Sequence, residues 1–123
     1  MTIIEAVNRI DTVKPNNYSQ HDKVAWLSKI DGIIKAEIID THEGGENIIF
    51  NGYDADTDIQ TNLLVSAPHD DLYVRWLEAQ IDYANGEYSK YNNSMAMFNT
   101  EYSTYERHYN RLHMPKGEKL KYF

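Results

Sequence analysis

Three aspartates at alternate positions, Asp54, Asp56 and Asp58 in "DADTDIQTNLLV", come nearest to a chemical motif in this sequence. Carboxylates spaced this way open a calcium-binding loop. Such a loop needs glycine at its sixth position and a bidentate glutamate at its twelfth, where this chain has Ile59 and Val65. The run therefore reads as a polar loop. The histidines are His21, His42, His69, His108 and His113. His108 and His113 are five residues apart, so a helix does not stack them on one face. His42 lies in a glycine turn with Glu43 and Glu46, and His69 precedes Asp70 and Asp71 at a helix start. Neither set has the ligand spacing of a specific metal site, and no HExxH pair is present. The chain has no cysteine, no GxSxG and no glycine-rich phosphate loop. Its carboxylates are plentiful, but nothing marks a buried acid–base pair. No catalytic residue, cofactor or metal ligand is expected, and the chain does not read as an enzyme.

The elements that would position any site are helices. Thr2 and Glu5 have capping-box spacing, and Ile3, Val7 and Ile10 share one face behind them. Pro15 and the Asn16–Asn17 pair close this helix. Ser19 with Asp22 starts a second, carrying Val24, Leu27, Ile30, Ile34 and Ile38 at helical spacing, with Gly32 inside the pattern and Gly44–Gly45 at its end. Over 46–66 two short apolar runs, "NIIF" and "NLLV", flank a polar loop and suggest a small β-hairpin. Ser66, Pro68 and the following aspartates announce a third helix.

From there, Val74, Leu77, Ile81, Ala84, Tyr88, Tyr91, Met95, Phe98, Tyr102, Tyr105, Tyr109 and Leu112 recur in alternating steps of three and four, a heptad-like seam. One unbroken helix over 68–112 would run about 65 Å, against a radius of gyration near 14 Å for a domain of this size. Asn85–Gly86 is the strongest interior break, so two antiparallel helices are expected. Tyr73, Trp76 and Tyr83 lie off the seam, giving the third helix two apolar faces: it is central, or one face awaits another subunit. The fold expected is mainly α, a four-helix-type bundle with a long C-terminal helical pair and the small hairpin in 46–66. Residues 1–113 form one helical domain and 114–123 a basic tail, "MPKGEKLKYF".

Composition bounds the class. At 123 residues a single domain can bury a core without staples. No apolar run is long enough to span a bilayer, and the charged N-terminus is unlike a secretory signal, so a soluble protein or a particle component is expected. The net charge of −7 is uneven. Acids and bases cancel over 1–39, whereas 40–82 sets ten acids against Arg75 alone. An acidic middle argues against a nucleic-acid-wrapping surface. A tyrosine-rich seam carries hydroxyls that need partners when buried, and tyrosine and tryptophan favour interfaces. Tyr73, Trp76, Tyr83, Tyr88, Tyr91, Tyr102, Tyr105 and Tyr109 are therefore candidates for packing or self-association. Asn92 and Asn93, poor helix formers, belong on an exposed face or in a polar subunit contact.

The stretches "MTIIEAVNRIDTVKPNNYSQHDKVAWLSKIDGIIKAEIIDTHEGGE", "FNGYDADTD", "LLVSAPHDDLYVRWLEAQIDYANGEYSKYNNSMAMFN" and "HYNRLHMPKG" resemble small proteins encoded among head genes of tailed phages and prophages of Gram-positive bacteria. The likeness covers nearly the whole chain, and the block around "WLEAQIDYANGEYSKYNN" is its most specific part. In architecture the chain is also similar to head–tail connector, or head-completion adaptor, proteins. That resemblance implies a homo-oligomeric ring, commonly of twelve, between the portal and the tail or stopper proteins. The ring would sit in the virion at the head–tail junction, with DNA passing through its channel. It implies no catalytic residue, no cofactor and no membrane partner. Asp54, Asp56 and Asp58 would face that channel and repel the passing DNA. The readings from other classes are a non-enzymatic helical interaction module, against which stands the absence of a 34-residue repeat, a small phage enzyme or nuclease inhibitor, and another phage structural role in tail completion or head decoration.

Overall fold

The computed structural model describes residues 1–117 and is mainly helical. Helix α1 spans Ile3–Val13 and begins as its spacing predicts: the Glu5 amide donates to Thr2 Oγ1 and the Thr2 amide to Glu5 Oε1, both at 3.2 Å. Ile3, Ala6, Val7 and Ile10 form its buried stripe. Helix α2 spans Gln20–Ile34 behind Ser19, whose hydroxyl accepts from the Asp22 amide at 3.1 Å. Val24, Leu27, Ile30 and Ile34 are buried along it. It runs into a π-helical turn, Lys35–Ile39, and then a short 3-10 turn, Gly45–Asn47. Glycine at 45 is required by close approach, because a Cβ there would lie 2.2 Å from the Ile39 carbonyl oxygen.

Helix α3 spans Leu72–Ala84 and α4 spans Tyr88–Leu112, separated at Asn85–Gly86 as the sequence suggests. Gly86 takes φ 75°, the left-handed conformation that ends a helix without Cβ strain. The two helices run antiparallel: Ser94 bonds to Asp82, Trp76 packs on Phe98, and His69 just before α3 meets Tyr105. Helix α3 is central. It packs against α1, α2 and α4, and buries Leu72, Tyr73, Val74, Trp76, Leu77, Ala79, Ile81 and Asp82. Helix α4 has α3 as its main neighbour and buries only Phe98, Tyr105 and Tyr109 of its 25 residues.

The expected hairpin over 46–66 does not form, and the described residues contain no strand beyond two isolated bridges. Its two apolar runs do not pair. Leu63 and Val65 are buried in the core, whereas Ile49 is 80% exposed. The segment's backbone groups bond elsewhere. The Ile3 and Ile4 amides, which no helical carbonyl can satisfy at an N-terminus, donate to Thr61 and Ile59 carbonyls at 3.0 and 2.9 Å. The Leu63 amide donates to Met1 O at 3.0 Å. The loop thus caps α1, and its two apolar runs are not paired with each other.

After α4 the chain turns back. The Glu43 amide donates to Met114 O and the Lys116 amide to Thr41 O, each at 2.8 Å, around the bridge between His42 and Pro115. The start of the expected tail, 114–117, is therefore seated against the end of the π-turn. The rest of the basic tail, 118–123, lies outside the described residues.

Candidate functional site

The tyrosines expected at a packing or association surface separate into three groups. Tyr73 and Trp76 belong to the core: Tyr73 is fully buried, and the Trp76 indole donates to the Trp26 carbonyl at 2.9 Å. On α4, Tyr105 and Tyr109 join Phe98 in the row that faces inward, with Met95 and Tyr102 half-buried beside it. Tyr83 and Tyr88 are exposed, at 58% and 59%, and with half-buried Tyr91 they form an aromatic cluster at the α3–α4 tip, ring centroids 5.3–5.5 Å apart. Met97 and Leu112 are further exposed apolar side chains on α4. Asn92 and Asn93 are also exposed on this helix.

The chemistry of these rings is packing and hydrogen bonding. Burial pushes Tyr105 up to about 12 and raises Tyr73 and Tyr102 as well. All three stay protonated near neutrality, and Tyr73 and Tyr102 are donors. The Tyr102 hydroxyl donates a hydrogen bond to Glu37 Oε2 at 2.8 Å, tying α4 to the π-turn, and the Tyr73 hydroxyl donates to Asp31 Oδ1 at 2.6 Å.

Asp31 is the polar centre of the core. Its carboxylate is fully buried and accepts from Tyr53 Oη at 2.5 Å, Tyr73 Oη at 2.6 Å and the Leu64 amide at 3.1 Å. The Val65 amide in turn donates to Tyr73 Oη at 2.8 Å. One carboxylate therefore joins α2, α3 and the 48–66 loop. Burial raises its pKa, and the bonds from Tyr53, Tyr73 and Leu64 oppose that rise. Other buried charges are paired: Lys14 lies 2.5 Å from Asp82, and Lys23 donates to Asp11 at 2.6 Å and Tyr18 O at 2.8 Å.

His42 is a second buried polar group. Its ring contacts the Ile38 carbonyl at 2.5 Å through Nδ1 and Asn110 Oδ1 at 2.6 Å through Nε2, and it packs edge-on to Tyr109. A π-helical turn frees backbone carbonyls from the regular ladder, and here Ile38 O accepts from Thr41 Oγ1 as well. His113 stacks on Tyr109 at 3.9 Å, and His69 contacts His108 at 4.5 Å. Among the described residues no three histidine or acidic side chains gather closely enough to hold a metal ion.

Asp54, Asp56 and Asp58 are exposed. Asp54 Oδ1 accepts from the Asp56 amide at 2.9 Å, and Asp58 Oδ1 accepts from the Gln60 amide at 2.9 Å. Two of the three carboxylates thus fasten local turns, and their alternate spacing has that explanation.

Comparison with protein-family models, with characterised proteins and with solved structures finds no match. Within the described residues no helix is long and apolar enough to cross a membrane. Sequence reasoning did not single out Asp31 or see His42 as buried. The available signal for Asp31 was an acid four residues after Leu27 and three before Ile34, inside the apolar stripe.

Proposed function

We propose that this chain is a virion structural protein, a head–tail connector subunit that assembles into a ring between portal and tail for DNA passage. The observation that carries the reading is the outer surface of the α3–α4 hairpin. A helix of 25 residues with three buried side chains, exposing Tyr88 beside Tyr83 at the tip and Met97 farther along, leaves apolar and aromatic area that one subunit does not cover. Tyrosine and methionine are the residue types that interfaces favour. The resemblance of nearly the whole sequence to phage head-gene products supplies the setting. The exposed acidic loop at Asp54, Asp56 and Asp58 is proposed to face the channel, where like charge keeps DNA from adhering.

The test is the particle mass of the purified protein by light scattering, alone and with the cognate portal protein. A ring-sized mass in either state is the expected result. A strict monomer in both would overturn the reading and favour a monomeric helical interaction module.

A further inference from the structure

We infer that Asn51 is a site of spontaneous deamidation, a slow self-modification that the fold permits at this residue and restrains at Asn85. The chain contains two Asn–Gly dipeptides, Asn51–Gly52 and Asn85–Gly86. In this dipeptide the following backbone nitrogen reaches the side-chain amide most easily, because glycine places no Cβ in the way.

The reaction is intramolecular. The glycine amide nitrogen gives up its proton and attacks asparagine Cγ, and the new C–N bond closes a five-membered succinimide. The bond from Cγ to the side-chain nitrogen breaks, and that nitrogen leaves as ammonia with the proton. Water then opens the ring. Opening at one carbonyl gives aspartate; opening at the other gives isoaspartate, with the chain routed through the side-chain carbon. The balance is one water consumed and one ammonia released, with no other reactant.

Attack requires a free amide nitrogen and a side chain able to turn toward it. At Asn85 both are held. The Gly86 amide donates to Tyr83 O at 3.0 Å and the Asn85 amide to Ile81 O at 2.9 Å. Asn85 Oδ1 accepts from Tyr18 Oη at 2.6 Å, and its Nδ2 reaches Glu87 Oε1 at 3.4 Å. At Asn51 neither is held. Both Asn51 and Gly52 are exposed and outside any helix. Among the described residues, the Gly52 amide appears in no backbone hydrogen bond and the Asn51 side chain in none of the side-chain bonds that fasten the neighbouring loop.

The position gives the modification a consequence. Tyr53, two residues on, anchors the loop: its amide donates to Ser28 Oγ at 2.9 Å and its hydroxyl to Asp31 at 2.5 Å. Isoaspartate would insert one extra backbone atom directly ahead of that anchor, and either product adds a carboxylate to the acidic middle of the chain.

The experiment is peptide mapping by mass spectrometry, with isoaspartate detection, on native protein held at mildly alkaline pH and physiological temperature. A parallel sample is held in denaturant. Attack at Asn85 must release both the Gly86 amide's bond and a bond of the side chain, about 1 kcal/mol each, and about 1.4 kcal/mol is a factor of ten in rate. Native Asn51 is therefore expected to convert at least about tenfold faster than Asn85, with the two rates converging in denaturant. Asn51→Gln should remove the mass gain at that peptide and keep the native far-ultraviolet spectrum. Equal native rates at the two sites would overturn the inference. So would native protein unchanged at Asn51 over a period in which the denatured chain converts at both.

Discussion

At the scale of single residues, Asp31 decides more than any other side chain described. It is a buried carboxylate with three donors from two other parts of the chain. Removing it in Asp31→Ala strands the Tyr53 hydroxyl and the Leu64 amide and leaves Tyr73 with Val65 alone. Orphaning buried donors and opening a small void should cost about 3 kcal/mol, read as a lowered midpoint in denaturant unfolding. Asp31→Asn keeps the shape and should cost less. The pH dependence has a definite sign. Desolvation raises the folded pKa of Asp31 above its ordinary value of 3.8. The folded state then holds this proton more tightly than the unfolded chain, so stability from this group is present below 3.8 and declines as pH rises through the folded pKa. Asp31→Asn cannot ionise. The stability difference between it and the parent should therefore shift across that window and be flat above it.

At the scale of elements, α4 poses the sharper question, because its two sides carry similar residue types and do different work. Phe98 is buried against Trp76 at 5.2 Å and Tyr102 at 5.6 Å, whereas its neighbour Met97 is 48% exposed. Phe98→Ala should cost about 3–4 kcal/mol through lost burial and a cavity, and Met97→Ala less than about 0.5 kcal/mol. Equal costs would mean that α4 is rotated from the phase described. Gly45→Ala should destabilise strongly, because the added carbon meets the Ile39 carbonyl at 2.2 Å and backbone must move to admit it.

These elements were legible where the cause is local. Thr2 with Glu5, Ser19 with Asp22 and Asn85–Gly86 set helix ends through neighbours a few residues away, and the three-and-four spacing gave the inward row of α4. What was not legible depends on partners far along the chain. Asp31 meets Tyr73 across 42 residues, and the 48–66 loop is shaped by amides at the start of α1. The seam also overreached at its ends: Tyr88 and Leu112 keep the period but extend past what α3 covers. Periodicity reports a face, and only the fold says how much of that face finds a neighbour.

At the scale of the whole molecule, the proposed ring needs two surfaces with different jobs, one to join subunits and one to face DNA. Tyr83, Tyr88, Met97 and Leu112 are exposed on α4 and the α3–α4 tip, with Val13, Ile48, Ile49 and Met114 exposed elsewhere, and Asp54, Asp56 and Asp58 lie on the loop that caps α1. If the first surface joins subunits, placing charge on it breaks assembly while sparing the fold. Tyr88→Glu with Met97→Glu replaces two exposed side chains, so the monomer's melting temperature should stay nearly unchanged. In an interface, each replacement forfeits about 1–2 kcal/mol of apolar burial and desolvates a carboxylate. Together they should weaken association by about two orders of magnitude or more, read by light scattering as a shift from ring mass to monomer. Asparagine at positions 54, 56 and 58 should leave the ring mass intact, since a channel lining is not an interface, and should slow DNA exit by removing like-charge repulsion. A triple variant that fails to assemble would place the acidic loop between subunits instead. An unchanged mass for the Tyr88 and Met97 variant would remove α4 as the assembly surface.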